Sequence, residues 1–175
     1  MRRLAPVRRA LGFTMIEILV TLFVTAFGLL GLAGFVVRAS TLSTDAVQRA
    51  RAAILVNDMA TRLSNSKAVA GDFVTAQLQG ESVQACGALA GAARQLCEWN
   101  NLLAGANDGG GAQFLGFRGC VTRPNPVDPL FIVTVTWGSI TAGPPPADQC
   151  GAGVFGDDSQ RRVLRLPVRV AALTA

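Results

Sequence analysis

The apolar residues of this chain are concentrated in one long run near its start. No charged residue occurs from Ile18 to Val37, and the run from Phe13 to Val37 would form about 37 Å of α-helix at about 1.5 Å per residue. That length exceeds the hydrocarbon core of a bilayer, which is about 30 Å thick. The pattern therefore predicts a transmembrane helix over residues 13–37.

The helix is predicted to continue beyond the apolar run. Neither Pro nor Gly occurs between residues 36 and 66, so we expect one helix from about Phe13 to about Asn65, on the order of 80 Å long. Residues 38–66 form its amphipathic half, because apolar side chains recur there at helical spacing. The positions predicted to pack on a globular head are Val47, Ala50, Ile54, Leu55, Met59 and Leu63.

Residues 67–175 are predicted to form that head. Apolar residues recur at helical spacing over Leu89–Leu103, which predicts a second helix. Alternating residues predict strands at Gln113–Val121, Leu130–Gly138 and Val163–Leu173. A loop rich in Pro and Gly separates the last two strands.

Together these elements predict an α+β fold. One very long N-terminal α-helix, apolar in its first half, is expected to pack its second half on a small antiparallel β-sheet, in the form of a lollipop. Pro167 lies in the last strand and lacks an N–H, so we expect an unpaired edge or a bulge there.

The positive charge of the chain is concentrated in its first residues. The formal net charge is +5, from 16 basic and 11 acidic residues. Four of the basic residues precede Phe13, and the remainder of the chain is close to neutral, so no nucleic-acid partner is expected. These four are Arg2, Arg3, Arg8 and Arg9. Directly after the apolar run there is one basic residue, Arg38. Because the side of a membrane span with more basic residues stays in the cytoplasm, the four leader arginines predict a cytoplasmic N-terminus and a head on the other side of the membrane.

The composition argues against an enzyme. The chain contains no His, which removes His-based acid–base catalysis, His-dependent nucleophiles and His metal sites. Asp157 and Asp158 in a Gly-rich loop could bind Ca²⁺, although two carboxylates rarely suffice. We therefore predict no catalytic residue, no metal and no cofactor.

Residues Gly12–Glu17 read Gly-Phe-Thr-Met-Ile-Glu and lie between the basic leader and the apolar run. They resemble the processing site of type IV prepilins and of the related type II secretion pseudopilins. The resemblance implies that a prepilin peptidase cuts after Gly12 and methylates the new N-terminal Phe13. Residues 1–12 would then be a leader peptide, and Glu17 would stand at the fifth mature position.

Glu17 needs an explanation of its own. An ionised carboxylate at the centre of an apolar helix costs roughly 2.5–3.5 kcal/mol on insertion scales, so such a residue usually has a partner. No Lys or Arg lies within one helical turn of it. The resemblance supplies the cationic amine of a cleaved Phe13, on the same chain or on a neighbouring subunit. We expect this pair to set the axial register of the subunit in a filament.

Three glycines recur in the apolar run, at Gly28, Gly31 and Gly34. In a helix interior each costs about 1 kcal/mol relative to Ala. They indicate either close helix packing in the membrane or a soft segment that bends as the subunit leaves the bilayer. Together with residues 53–63 and Cys97–Asn100, this run resembles the PilV family of minor pilins, the type IV pilus modification proteins.

The resemblance implies a structural subunit of a type IV pilus that takes part in pilus assembly or priming, and through the pilus in twitching motility and cell adhesion. Before assembly it would sit in the inner membrane with a periplasmic head, and afterwards at the cell surface. Its expected partners are other pilins through the N-terminal helix, the prepilin peptidase, the inner-membrane assembly platform and membrane lipid. The alternatives are a type II secretion pseudopilin and an uncleaved, membrane-anchored binding protein or adhesin.

Four cysteines can pair in three ways. Cys86 and Cys97 on one unbroken helix would be about 16 Å apart, beyond the limit of about 7 Å for a disulfide. That pair therefore requires Cys86 to lie before the helix. Cys120–Cys150 resembles the loop-closing bridge of pilin heads, which favours this pair and leaves Cys86–Cys97 by difference. Free buried thiols are the alternative.

Overall fold

A computed structural model describes residues 12–106 and 116–171. The fold is α+β, as predicted, with a long apolar N-terminal helix and a three-stranded antiparallel sheet. The helices are α1 (Met15–Asn65) and α2 (Gly91–Leu103), and the strands are β1 (Arg118–Thr122), β2 (Leu130–Gly138) and β3 (Arg161–Arg169). Short 3₁₀ helices occupy Lys67–Phe73 and Asp158–Gln160.

The predicted elements are confirmed with shifts at their ends. The strand predicted at Leu130–Gly138 has those bounds, and α1 begins at Met15 rather than Phe13. Helix α2 begins at Gly91 and not at Leu89, where its start was predicted, because Ala90 has an extended backbone. Strand β1 begins at Arg118, after the non-strand residues 116–117, and ends at Thr122, one residue beyond the predicted Val121. Strand β3 spans Arg161–Arg169, whereas Val163–Leu173 was predicted. Residues 113–115 and 172–173 of the two predicted strands lie outside the described residues.

Contacts divide the chain into two units, one ending at Leu42 and the other beginning at Ser43. In the first unit the side chains from Gly12 to Ser40 are exposed. An 18-residue window of α1 has a mean hydropathy of 2.3, so the helix is long and apolar enough to cross a membrane. The chain is therefore compatible with a single-pass membrane anchor, as predicted.

The sheet lies in the second unit. Its strand order is β1-β2-β3, and Val133 in the middle strand pairs with Val121 on one side and Leu166 on the other. One face of β2 is buried as the alternation predicted, with Phe131, Val133, Val135 and Trp137. These residues join a core cluster with side chains from both helices and the first 3₁₀ helix, including Met59, Leu63, Phe73, Trp99 and Leu103.

The buried face of α1 differs from the predicted one. Met59 and Leu63 are buried and Leu55 is half-buried, but the prediction is wrong for Val47, Ala50 and Ile54, which are exposed. The buried residues of α1 are Gln48, Ala52, Val56, Met59, Ala60 and Leu63.

The reason is that α1 carries two stripes of apolar and small residues. Helical geometry places the exposed stripe about 170° around the helix from the buried one. The small side chains of Ala52 and Ala60 let the helix approach the rest of the head closely, which larger Val47 and Ile54 side chains would prevent. Both stripes recur at helical spacing, so the spacing of apolar residues could not predict which of the two would be buried.

The opposite face of the sheet is also covered. Thr134 and Thr136 lie on that face and are 2% and 0% exposed. The connection between β2 and β3 packs over them, since the Cys120–Cys150 disulfide joins it to β1 and Asp148 forms an ion pair with Arg165 at 3.1 Å. The sheet is therefore enclosed between the helices and an irregular loop.

The two edges of the sheet are treated differently. Backbone hydrogen bonds from Thr75 to Val121 and between Gln79 and Gly119 cover the outer edge of β1. Among the described residues no strand pairs with the outer edge of β3. The unpaired edge predicted from Pro167 is confirmed.

Candidate functional site

The candidate processing site lies just before α1. Gly12, Phe13 and Thr14 are outside the helix and exposed, and Phe13 is 79% exposed. Among the described residues, a Cβ added at Gly12 would meet no atom within 4 Å beyond its chain neighbours. The peptide bond between Gly12 and Phe13 therefore lies in exposed, non-helical backbone directly before α1.

Thr14 caps the first turn of α1. Its side-chain oxygen accepts a hydrogen bond from the Glu17 N–H at 3.3 Å, and its carbonyl accepts from Glu17 and Ile18. Thr followed by Glu three residues later is the capping-box pattern. Sequence reasoning missed this role of Thr14, although the pattern was visible.

Glu17 consequently lies in the first turn of α1 and not in its interior. A carboxylate is favoured there, because the unpaired N–H groups of a helix N-terminus carry partial positive charge. The cost assumed for a carboxylate at the centre of an apolar helix does not apply in this setting. Its pairing with a cleaved Phe13 amine remains a prediction, since that amine forms only on cleavage.

Gly28, Gly31 and Gly34 lie within α1. A Cβ added at any of them would meet nothing within 4 Å. Nothing in the described part of the chain therefore requires glycine at these positions, and both interpretations, helix packing and a soft segment, stay predictions.

In the head, consecutive residues of α2 connect that helix to different segments. Cys97 is joined by a disulfide to Cys86, with the two Cα atoms 5.6 Å apart. The Trp99 indole Nε1 donates to the Leu55 carbonyl of α1 at 3.0 Å, and Trp99 itself is fully buried. Cys97 and Trp99 thus hold α2 to the segment before it and to α1.

Glu98 adds an ionic link between α2 and α1. Its carboxylate binds Arg62 at 3.1 Å and Arg94 at 3.0 Å. The hydrogen bond from Arg62 is the largest cause that lowers the pKa of Glu98, and the hydrogen bond from Arg94 lowers it further. Arg62 also binds Asp58 at 2.7 Å and the Gln95 carbonyl at 3.2 Å, so the Asp58–Arg62 pair belongs to a network and is not an isolated surface pair.

Asn100 anchors the segment that precedes α2. It is 2% exposed, its Oδ1 accepts from the Gly80 N–H at 2.7 Å and its Nδ2 donates to the Ser82 carbonyl at 2.7 Å. Asn101 pairs in the same way with the N–H and carbonyl of Gln84. Two adjacent amide side chains therefore hydrogen-bond to backbone groups of residues 80–84, as a neighbouring β-strand would.

Both favoured disulfides are present. Cys86 lies before α2, which satisfies the condition derived from helix geometry. The Cα atoms of Cys120 and Cys150 are 6.0 Å apart. The chain has four cysteines and all four are paired, so the alternative of free thiols is wrong.

Arg161 organises the loop that Cys150 anchors. It is 1% exposed, and all five of its N–H donors are used. Two bind the Asp158 carboxylate at 2.9 and 2.8 Å, and the others bind the carbonyls of Pro146, Asp148 and Cys150. Sequence reasoning missed this residue, because an Arg at the start of a strand gives no signal of burial.

The two carboxylates considered for Ca²⁺ have other partners. Asp157 accepts from the Ser159 N–H and hydroxyl at 3.0 and 2.7 Å, which lowers the pKa of Asp157. Asp158 is held by Arg161, whose hydrogen bond lowers the pKa of Asp158. A guanidinium on a carboxylate opposes cation binding there, so these residues stabilise the loop.

Comparison with known protein families, with curated proteins and with solved structures finds no match for this chain.

Proposed function

We propose that this chain is a minor pilin, a non-enzymatic structural subunit that takes part in the assembly or priming of a type IV pilus. The observation that carries the proposal is the exposed, non-helical Gly12–Phe13 bond directly before α1, a helix apolar enough to cross a membrane. The resemblance implies that a prepilin peptidase cuts this bond, which lies between the basic leader and the apolar helix.

The residues suggest how such a subunit would work. The leader Arg residues hold the N-terminus in the cytoplasm, and residues 13–37 anchor the chain. Cleavage after Gly12 removes the leader and creates a cationic amine on Phe13 beside the Glu17 carboxylate. The subunit then joins other pilins at the inner-membrane assembly platform, driven by packing of the apolar N-terminal helices, while an ATPase motor belongs to other proteins.

The disulfides support a head outside the cytoplasm. Disulfides persist in oxidising compartments such as the periplasm and are rare in the cytosol. The described head is held by Cys86–Cys97 and Cys120–Cys150. This matches the orientation that the leader charges predict.

N-terminal analysis of the chain purified from membranes tests the proposal. We expect a mature chain that begins at methylated Phe13, and we expect Gly12→Leu to leave the leader attached. Gly31→Ala, which changes a glycine away from the bond, is the matched control and should be processed normally. A purified chain that still carries residues 1–12 would contradict the proposal and favour an uncleaved anchored protein.

Deletion of the chain distinguishes a pilus from a type II secretion system, because both use the same processing site. We expect twitching motility to be lost and protein secretion to be retained. The reverse result would assign the chain to the secretion system.

Glu17→Val should be processed but absent from sheared filaments, and normal incorporation of this variant would contradict the assembly role of Glu17.

A further inference from the structure

The outer half of α1 carries an exposed seam that the head does not use. The α1 seam consists of Val47, Ala50, Ile54, Asn57 and Thr61, all exposed. Val47 is 53% exposed and Ile54 68%. The spacing alternates between three and four residues, which is the a/d pattern of a coiled-coil seam, and none of the five is charged.

The form of the α1 seam indicates that its partner is another α-helix. A narrow a/d stripe matches a second helix that packs at a shallow angle, whereas a sheet or a globular surface would use a wider stripe. A shallow groove of about 460 Å³ lies beside Ile54, lined by Ala53, Asn57 and Thr61 among others. Such a groove can receive one aliphatic side chain from a facing helix.

The α1 seam is too small to hold two free molecules together. It consists of five side chains, whereas a standard interface buries about 800 Å² and about 20–30 residues per partner. A seam of this size becomes effective between molecules already tethered side by side, because tethering raises the effective concentration. The membrane anchoring of the proposed function, on which this inference rests, tethers copies of this chain in that way.

We propose that two copies of this chain pair through the α1 seam while both are anchored in the membrane, with their α1 helices parallel. Identical anchors hold the two helices at the same depth in the membrane. Each seam residue therefore faces the same residue of the other copy, and Ile54 packs against the second copy's Ile54.

The charges beside the seam fit this parallel arrangement. Arg51 and Asp58 both lie on one flank of the seam, and Ala46 and Ala53 lie on the other. Parallel pairing places the charged flank of each copy against the alanine flank of its partner, so no like charges meet. The small alanine side chains also permit a close approach of the two helices.

Disulfide crosslinking in membranes tests the pairing. All four native cysteines are already paired, so Ile54→Cys in the full-length chain introduces one free thiol. On mild oxidation we expect a product of twice the mass of the chain, about tenfold stronger than that from Arg49→Cys. Arg49 is also exposed but lies outside the α1 seam. Adding Ala50→Arg to Ile54→Cys should abolish the product.

Three results would overturn the inference: no product from Ile54→Cys, equal product from Arg49→Cys, or an adduct with a different protein. The same membranes are analysed for the Phe13 N-terminus and for incorporation into sheared filaments. Normal processing and incorporation without the crosslink would overturn the pairing alone. An unprocessed chain would overturn the proposed function, whatever the crosslinking result.

Discussion

The ring of Trp99 in α2 lies directly against the backbone of Gly119 in β1. A Cβ added at Gly119 would overlap that ring and come within 2.7 Å of the Leu103 Cδ1 atom. The same ring donates its N–H to the Leu55 carbonyl of α1. One indole therefore sets the separation of two helices and the sheet.

Replacement of Gly119 by Ala should destabilise the head, because the added methyl group has no space. Overpacking of a buried site costs about 1–3 kcal/mol. Urea unfolding of the purified chain in detergent, followed by tryptophan fluorescence, measures the loss. Gly87→Ala is the matched control, since a Cβ there meets nothing within 4 Å. Equal midpoints for the two variants would show that the close approach of Trp99 carries no cost.

Asn100→Ala should also destabilise the head, by leaving the Gly80 N–H and the Ser82 carbonyl without their partner. Loss of a partner from buried polar groups costs about 1–3 kcal/mol each. Asn101→Ala removes the same kind of bonds from an exposed segment, where water can replace them, and should cost less. The unfolding midpoints give the comparison. A larger effect at Asn101 would contradict this explanation.

Acid should weaken the loop that Arg161 organises. The Arg161 hydrogen bond lowers the pKa of Asp158 in the folded state, so the stabilisation is fully present above the ordinary carboxyl pKa of about 3.9 and is lost as the pH falls below it. Urea midpoints measured from pH 6 to pH 3 should fall less steeply for Asp158→Asn than for the unchanged chain. Glu98 and Asp157, whose pKa values are also lowered, keep some acid sensitivity in the variant. Identical slopes would contradict the role of Asp158.

Pro167→Val should promote association through β3. The Ser139 N–H donates to the Gln160 carbonyl and the Val170 N–H donates to the Pro129 carbonyl, so both are hydrogen-bonded pairs of the β2–β3 ladder. Hydrogen-bonded and non-hydrogen-bonded pairs alternate along an antiparallel ladder. The pair that contains Pro167 is therefore a non-hydrogen-bonded one, and the residue 167 nitrogen points away from β2. Valine would therefore add an N–H to an open edge, which favours strand pairing between molecules. Light scattering of the purified chain should show larger assemblies for this variant than for Pro144→Val in the loop. Equal scattering would mean that Pro167 does not protect the edge.

Local patterns were sufficient to predict the elements that depend on neighbouring residues. The bounds of β2 followed from alternation, and helix geometry required Cys86 to lie before α2 if it paired with Cys97. Pro167 marked the open edge because proline lacks a donor wherever it lies. These properties are fixed by the chain itself and need no tertiary information.

Contacts between distant segments could not be predicted in the same way. The buried stripe of α1 depends on which residues fit closely against the rest of the head, and Ile54 looked as suitable as Met59. The burial of Arg161 depends on three carbonyls that the loop brings to it. At the candidate processing site, Gly12, Phe13 and Glu17 were chosen by resemblance, whereas the cap formed by Thr14 required only a local pattern.

Under the proposed processing, the cap at Thr14 decides what cleavage leaves behind. Cleavage after Gly12 would leave Thr14 in the mature chain, so the first turn of α1 keeps the hydrogen bonds that start it. Removal of the leader would then alter the charge at the membrane surface without any refolding. Precursor and mature subunits would share one helix and one head, and the head could complete its disulfides before or after the peptidase acts.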